Sequence, residues 1–278
     1  MKMALIVYCS PAGSTRRVAQ KIAAACNKRK SSTTLLDLGI VADPSSRLDR
    51  LEAAGPEGCL FVGSPVYQGL AVPPVMQFLE KLPTSAGARA VPFVTWGGAN
   101  SGIALWQMGN ALKQKGYALA GAAKVMALHS MMWQSSQPVG QGRPNADDDR
   151  QVKQLVEKTG EGSTGSISTE VLAYQPEEIH LELLKKMDQP WSNIPKNVDA
   201  QKCTECAICK QVCPAGAVSL DPLPVFDANS CFSCFNCVRE CPEAAIVPGK
   251  SLDAIDAMIR QKVETIAEKP STKIFYSN

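Results

Sequence analysis

Eight of the chain's eleven cysteines fall between residues 203 and 241, in two runs of one spacing. Cys203, Cys206, Cys209 and Cys213-Pro214 read C-x2-C-x2-C-x3-C-P, and Cys231, Cys234, Cys237 and Cys241-Pro242 repeat it. A disulfide framework is the habit of small secreted domains, whereas regular runs like these point to a metal cofactor. Structural zinc also takes four cysteines, but usually as two separated C-x2–4-C knuckles, and three-in-a-row spacing used twice suits a tetrahedral ion poorly. Thiolates spaced in this way instead wrap three corners of an iron–sulfur cubane, and the proline turns the chain so that the fourth sulfur points away. Only two histidines occur, His129 and His180, which argues against a His-dependent hydrolase or a His-rich metal site.

The segment Lys202 to Val247 resembles the two-cluster bacterial ferredoxins. That resemblance implies a small α+β unit with two pseudo-symmetric halves, one-electron transfer, and two [4Fe-4S] clusters with crossed ligand sets. Cys203, Cys206, Cys209 and Cys241 would hold one cluster, and Cys231, Cys234, Cys237 and Cys213 the other. Such clusters are oxygen-labile, so an anaerobic cell is the expected setting.

The 278 residues leave room for a second domain at roughly 100–200 residues per domain. With 45% hydrophobic and 20% charged residues the chain can bury a real core, and no apolar run approaches membrane-span length. A soluble, cytoplasmic protein is expected, because Met1 to Cys9 leads into a Pro/Gly loop without a small-residue cleavage site and reads as a strand. Residues 1–160 carry a net charge of +8 and the remainder −5, so the two parts are expected to attract one another. No basic cluster with interleaved aromatics appears, and nucleic acid is not an expected partner.

Across residues 1–160 short β-rich runs alternate with helical periodicity, the pattern of a parallel sheet covered on both faces. Strands are expected at Ala4 to Cys9, Thr33 to Leu38, Cys59 to Gly63, Val91 to Thr95 and Lys124 to Leu128. Helix faces are marked by Val18, Ile22 and Cys26, by Val75, Phe78, Leu79 and Leu82, and by Leu105, Met108 and Leu112. A last helix runs from about Asp147 to Lys158, with Asp147 to Asp149 as its solvated start. The expected fold class is α/β, a doubly wound five-stranded parallel sheet joined to the small cysteine module. Gly160 to Ser168 reads as a break, Pro176 to Met187 as a short helix and Asp188 to Asp199 as an extended connector. Beyond the module come a helix near Leu252 to Ala267 and an apolar tail, Lys273 to Tyr276. The expected division is 1–160, a linker at 161–198, the cysteine module at 199–248, and a C-terminal helix and tail at 249–278.

A helix N-terminus offers free backbone N–H groups and a partial positive charge, so a Ser/Thr/Gly loop between the first strand and first helix suits a phosphate. Here that loop is Ser10-Pro11-Ala12-Gly13-Ser14-Thr15-Arg16, which resembles the flavodoxin phosphate loop at Ser10, Gly13, Ser14 and Thr15. Gly63-Ser64-Pro65-Val66-Tyr67-Gln68-Gly69 and Thr95-Trp96-Gly97-Gly98-Ala99-Asn100 resemble the two ring-holding loops of the same family. The resemblance covers about residues 1–160 and implies FMN, with its phosphate on Ser10 and Ala12 to Arg16 and its ring between Pro65 to Gly69 and Thr95 to Gly98. Two departures predict a weaker grip: Ala12 lacks the usual hydroxyl, and Pro11 has no N–H to donate. A flavodoxin fold without flavin is the alternative, in which Tyr67 and Trp96 are core or surface aromatics. No G-x-G-x-x-G fingerprint follows a strand, so direct use of NAD(P)H lacks support. Cys9, Cys26 and Cys59 read as buried thiols, Trp106 and Trp133 as packing residues, and His129 as a polar strand-end residue close enough to the loops to face a ring.

Together the two parts resemble fused flavodoxin-ferredoxin proteins of anaerobic bacteria and archaea. The resemblance implies an electron carrier that exchanges electrons between two [4Fe-4S] clusters and FMN, with a ferredoxin or an oxidoreductase as redox partner and no membrane span. The competing expectation is a flavin-dependent reductase of a small organic acceptor, fed by the clusters.

Overall fold

The computed structural model describes residues 1–40, 48, 55–160, 165–191, 194–266 and 268–277. Parts of the expected break at Gly160 to Ser168, of the connector Asp188 to Asp199 and of the last helix therefore lie outside the described residues. The first half contains β1 (Met3–Tyr8), β2 (Ser32–Asp37), β3 (Gly58–Tyr67), β4 (Leu70–Ala71), β5 (Arg89–Trp96), β6 (Ala118–Leu119) and β7 (Gly121–Met126). It also contains α1 (Ser14–Lys28), α2 (Pro73–Lys81), α3 (Ala104–Gln114) and α4 (Ala146–Gly160). The five long strands run parallel in the order β2-β1-β3-β5-β7, the order of flavodoxin-like sheets.

Both sheet faces are covered, which is why β1 is an uninterrupted apolar run. Leu5 and Val7 face Val75, Leu79, Leu105 and Met108, while Ala4 and Ile6 face Val18, Ile22, Val152 and Leu155. β3 continues past the expected end at Gly63 to Tyr67, through Pro65. Its ladder with β1 stops at Tyr8–Gly63 and only the β5 side continues, through Pro65–Thr95. On that newly free side the missing proline N–H costs no ladder hydrogen bond.

The sheet is not purely parallel. The apolar tail is a further strand, β12 (Lys273–Tyr276), antiparallel to β7 with Phe275 opposite Ala122. Phe275 is buried and stacks on Tyr174 with ring centroids 5.6 Å apart. Four residues are too few for alternation to be recognised in a sequence, yet they suffice to cover an otherwise open sheet edge.

Between the sheet and its last strand lie α5 (Glu177–Met187), β8 (Lys196–Val198), the cysteine module and its following helix. The module comprises α6 (Ile208–Gln211), β9 (Val218–Asp221), β10 (Leu223–Phe226), α7 (Asn236–Arg239) and β11 (Ile246–Pro248), and α8 (Leu252–Thr265) follows it. Its two halves are built alike. Left-handed backbone recurs at Glu205 and Ala207 and, in the second run, at Ser233 and Phe235. The pairs Lys196–Pro248 and Pro224–Leu220 occupy matching register positions in the two small sheets.

The chain after α8 is fixed by a buried polar cluster. Glu268 accepts hydrogen bonds from the Ser101 amide at 2.8 Å, from Gln175 Nε2 at 3.1 Å and from Lys124 Nζ. Lys124 also lies over the rings of Trp96 and Tyr174, at 4.8 and 4.6 Å from their centroids. Burial acts to raise the Glu268 pKa, but Lys124, Ser101 and Gln175 outweigh it and hold the carboxyl below its ordinary value of 4.5. A carboxylate with a depressed pKa stabilises the fold above its unfolded value, and that contribution is lost as the pH falls through its folded value. Urea unfolding of the full chain should show stability falling below about pH 4.5. Glu268→Gln should remove this part of the pH dependence and, by leaving Lys124 buried without its counter-charge, cost about 3–5 kcal/mol at neutral pH.

Candidate functional site

A cavity of about 530 Å³ lies at the carboxyl ends of β1, β3, β5 and β7. The strand order reverses between β1 and β3 there, the place where open α/β sheets hold ligands, and the volume is that of a cofactor site. One wall is made by Ala12, Ser14 and Thr15, by Pro65 to Gly69, by Thr95 to Gly97, and by Ala127 to Met131. The opposite wall comes from α5 (Ile179, Leu183, Lys186), from α8 (Met258, Ile259, Lys262) and from Phe232 and Ser233 of the cysteine module.

Of the residues expected to hold FMN, Ala12, Ser14, Thr15, Pro65, Val66, Tyr67, Gln68, Gly69, Thr95, Trp96 and Gly97 line this cavity. Ser10, Gly13, Arg16 and Gly98 are not among its lining residues. Ser10 Oγ accepts the Arg16 amide at 2.9 Å, and the Arg16 guanidinium pairs with Asp37 at 3.0 Å, so both side chains are engaged within the loop and with β2. Gly13 makes the left-handed turn into α1 at φ 85°. At Gly98 a side chain would press on Met126 and Val139, each 2.8 Å from an ideal Cβ. Thr15 Oγ1 and Thr95 Oγ1 are 2.8 Å apart and tie the phosphate-type loop to the end of β5.

Trp96 is both core and cavity wall. It is buried, and its Nε1 has no hydrogen-bond partner among the described residues. Tyr67 is buried beside Phe232, with ring centroids 5.9 Å apart, and burial raises its phenol pKa while the Ser130 side chain partly opposes the shift. His129 also faces the cavity, and its Nδ1 accepts the Met131 amide at 3.4 Å. Trp106 meets His180 edge-on at 4.8 Å and Trp133 lies 6.4 Å from Phe235, packing positions outside the cavity lining. Cys9, Cys26 and Cys59 are fully buried, and burial raises the pKa of each thiol.

The repeated cysteines form two groups. Cys203, Cys206, Cys209 and Cys241 line a small cavity of about 20 Å³ together with Glu205, Pro224 and Glu243. In the other group burial pushes the Cys234 thiol up to about 12, with Cys237, Cys213 and Cys231 adding to the rise through their charges. Cys237 is raised to about 12, first by burial, with Lys196 acting against it and Cys213 and Cys231 adding to it. In each group the fourth cysteine of one run thus stands with cysteines of the other. The Ala217 amide donates to Cys213 Sγ and the Ala245 amide to Cys241 Sγ, each at 3.3 Å. Among the described residues no three Cys, His, Asp or Glu side chains are gathered as a single-ion site.

Sequence reasoning missed the second wall of the large cavity. The segments that form α5 and α8 read only as helices, at Pro176 to Met187 and near Leu252 to Ala267, with no indication of which surface they cover. Phe232 did carry a signal: the equivalent position in the first run is Thr204, and an aromatic there has no reason to face water.

Residues 202–246 match the family described as 4Fe-4S dicluster domain. No curated protein matches the chain. Among solved structures the chain is similar to a flavodoxin from the domain Archaea, 18% identical over 57% of this chain and 96% of that one, with a TM-score of 0.43. It is similar to flavodoxin 2 of Bacillus cereus at 14% identity, covering 57% of this chain and 98% of that one, with a TM-score of 0.45. A similarity to an NADH:FMN oxidoreductase in its apo form spans 68% of this chain and all of that one, at 18% identity and a TM-score of 0.43. These likenesses are of fold alone. Among the described residues no helix is long and apolar enough to cross a membrane.

Burial, together with Lys262, lowers the His129 pKa from 6.5 to about 4, against an opposing pull from Asp256. The unfolded chain therefore takes up this proton first, and stability is lost as the pH falls from about 6.5 towards 4. NMR titration of the full chain should place the His129 midpoint near 4, and His129→Gln should flatten the stability profile in that interval.

Proposed function

We propose that the chain is an electron-transfer iron–sulfur flavoprotein that exchanges electrons between two [4Fe-4S] clusters and FMN. The observation that carries this reading is Phe232 and Ser233. They lie between Cys231 and Cys234 in sequence, and they line the same cavity as Ser14, Thr15, Tyr67 and Trp96. The cavity's size, its aromatic lining and the unpartnered Trp96 Nε1 fit a flavin. In this reading the Ser14 hydroxyl and the backbone from Ala12 to Thr15 hold the phosphate, and Tyr67 and Trp96 border the ring. FMN supplies the exchange between two-electron and one-electron chemistry, since each cluster carries one electron. Phe232, between Tyr67 and Trp191, excludes water from the space that separates the cavity from the nearer thiols.

Cys203, Cys206, Cys209 and Cys241 are proposed to hold the outer cluster, and Cys213, Cys231, Cys234 and Cys237 the one beside the cavity. Cys206 is exposed, whereas Cys234 and Cys237 are buried. An outside redox protein, a ferredoxin or an oxidoreductase, thus has access to the outer group. A second reading, reduction of a small organic acceptor, is favoured by Lys186, Lys250 and Lys262 on the cavity lining, which outnumber Glu182 there and suit an anionic molecule. Turnover of candidate acids with reduced ferredoxin separates the two readings.

Anaerobically purified protein should contain iron and sulfide for two [4Fe-4S] clusters and release FMN, not FAD, on heating. Zinc in place of iron, iron for one cluster, or no binding at micromolar FMN would defeat the reading. Cys213→Ser should lower the iron content by up to about half, through loss of the cluster shared with Cys231, Cys234 and Cys237.

A further inference from the structure

We propose that Lys196 gives electron movement within the chain its direction, by favouring an electron on the cysteine group beside the large cavity over the group at the surface. The inference rests on the two-cluster reading and deepens it. Lys196 Nζ lies 3.3 Å from Cys231 Sγ, and it sits 5.3 Å above the Phe235 ring. It is a half-buried positive charge that also donates to the Ile194 carbonyl at 3.2 Å, and it stands beside one ligand of the inner group.

The internal repeat supplies the control. Lys196 pairs with Pro248, and the matching pair in the other half is Pro224 with Leu220. The position corresponding to Lys196 is therefore Pro224, which lines the small cavity of the outer group, where Cys203 corresponds to Cys231. Where the inner group has an ammonium, the outer group has a neutral ring.

Other contacts either cancel or reinforce this difference. The amides of Ala217 and Ala245 donate to Cys213 and Cys241 at the same 3.3 Å, so this pair of backbone hydrogen bonds does not distinguish the groups. Glu205 and Glu243 line the outer cavity, and the residue equivalent to Glu205 in the second run is the neutral Ser233. Lys202, next to Cys203, is paired with Asp199 at 3.5 Å. Lys210 is exposed on α6 and does not line the outer cavity.

Reduction adds negative charge, so the ammonium favours it on the inner side and the two carboxylates oppose it on the outer side. The step is a one-electron exchange with no bond formed or broken. The outer cluster is oxidised and the inner one reduced, and a low-potential one-electron carrier outside the chain replaces the electron.

The test is an EPR-monitored redox titration of the anaerobically reconstituted full chain, with iron and sulfide measured on the same samples. Lys196→Met should lower the potential of one cluster and leave the other in place. The ratio of inner to outer reduced cluster should fall about tenfold, which is about 59 mV for a one-electron couple. Lys196→Arg should retain most of the wild-type ratio, which a merely structural role for the side-chain stem would not require. Pro224→Lys should raise the potential of the other cluster and narrow the gap. Unchanged potentials in Lys196→Met with both clusters present would overturn the proposal while leaving the two-cluster reading intact. So would Lys196→Met and Pro224→Lys shifting the same cluster. A wild-type chain that takes up fewer than two clusters overturns both.

Discussion

The loop from Cys231 to Phe235 is buried against the end of the parallel sheet, and the surrounding elements are arranged to keep it there. Phe232 sits between Tyr67 and Trp191, with ring centroids 5.9 and 6.0 Å away, and the Ser233 hydroxyl accepts the Ile194 amide at 3.1 Å. Aromatic pairs of this kind add to the free energy of burying their surface and fix the loop's orientation. The equivalent loop of the first run, with Thr204 and Glu205, is exposed. One backbone motif used twice thus gives one half that faces water and one that faces the cavity.

The opposite net charges of the two parts suggested that attraction between them sets the arrangement. The contacts are more local than that. An ion pair joins them, Lys124 with Glu268, but it is buried and held by Ser101 and Gln175 rather than spread over facing surfaces. Arg239 of the cysteine module reaches the carbonyl of Pro11, placing a guanidinium at the loop whose proline lacks an N–H. Apolar burial and a few fixed hydrogen bonds account for how the parts meet, and such contacts are less sensitive to salt than a long-range field.

How much of this could be read in the sequence differs by kind of signal. The cysteine runs carry their chemistry in covalent spacing, and the parallel strands announce themselves because burial on both faces demands continuous apolar runs such as Ala4 to Val7. The helix faces at Val18, Ile22 and Cys26 and at Leu105, Met108 and Leu112 were legible for a similar reason: 3.6-residue periodicity survives without knowledge of the partner surface. β12 was not legible, since Phe275 finds its reason only in Ala122 and Tyr174, far away in the chain. Ser10 and Arg16 are placed at a phosphate by the resemblance to the flavodoxin loop, which carries no information on their other contacts. Their hydrogen bonds to each other and to Asp37 depend on how the loop closes, which no spacing reveals.

The strand order has a consequence for synthesis and for modular rearrangement. β12 leaves the ribosome after the cysteine module, yet it completes the edge of the sheet whose other long strands precede that module. A nascent chain can fold the N-terminal strands early, but the β7 edge stays uncovered until the cluster-binding segment has been made in full. Excising that segment together with everything after it would strip the sheet of its last strand. The two parts follow one another along the gene, but in the folded molecule the chain returns from the second to lay its last strand on the edge of the first.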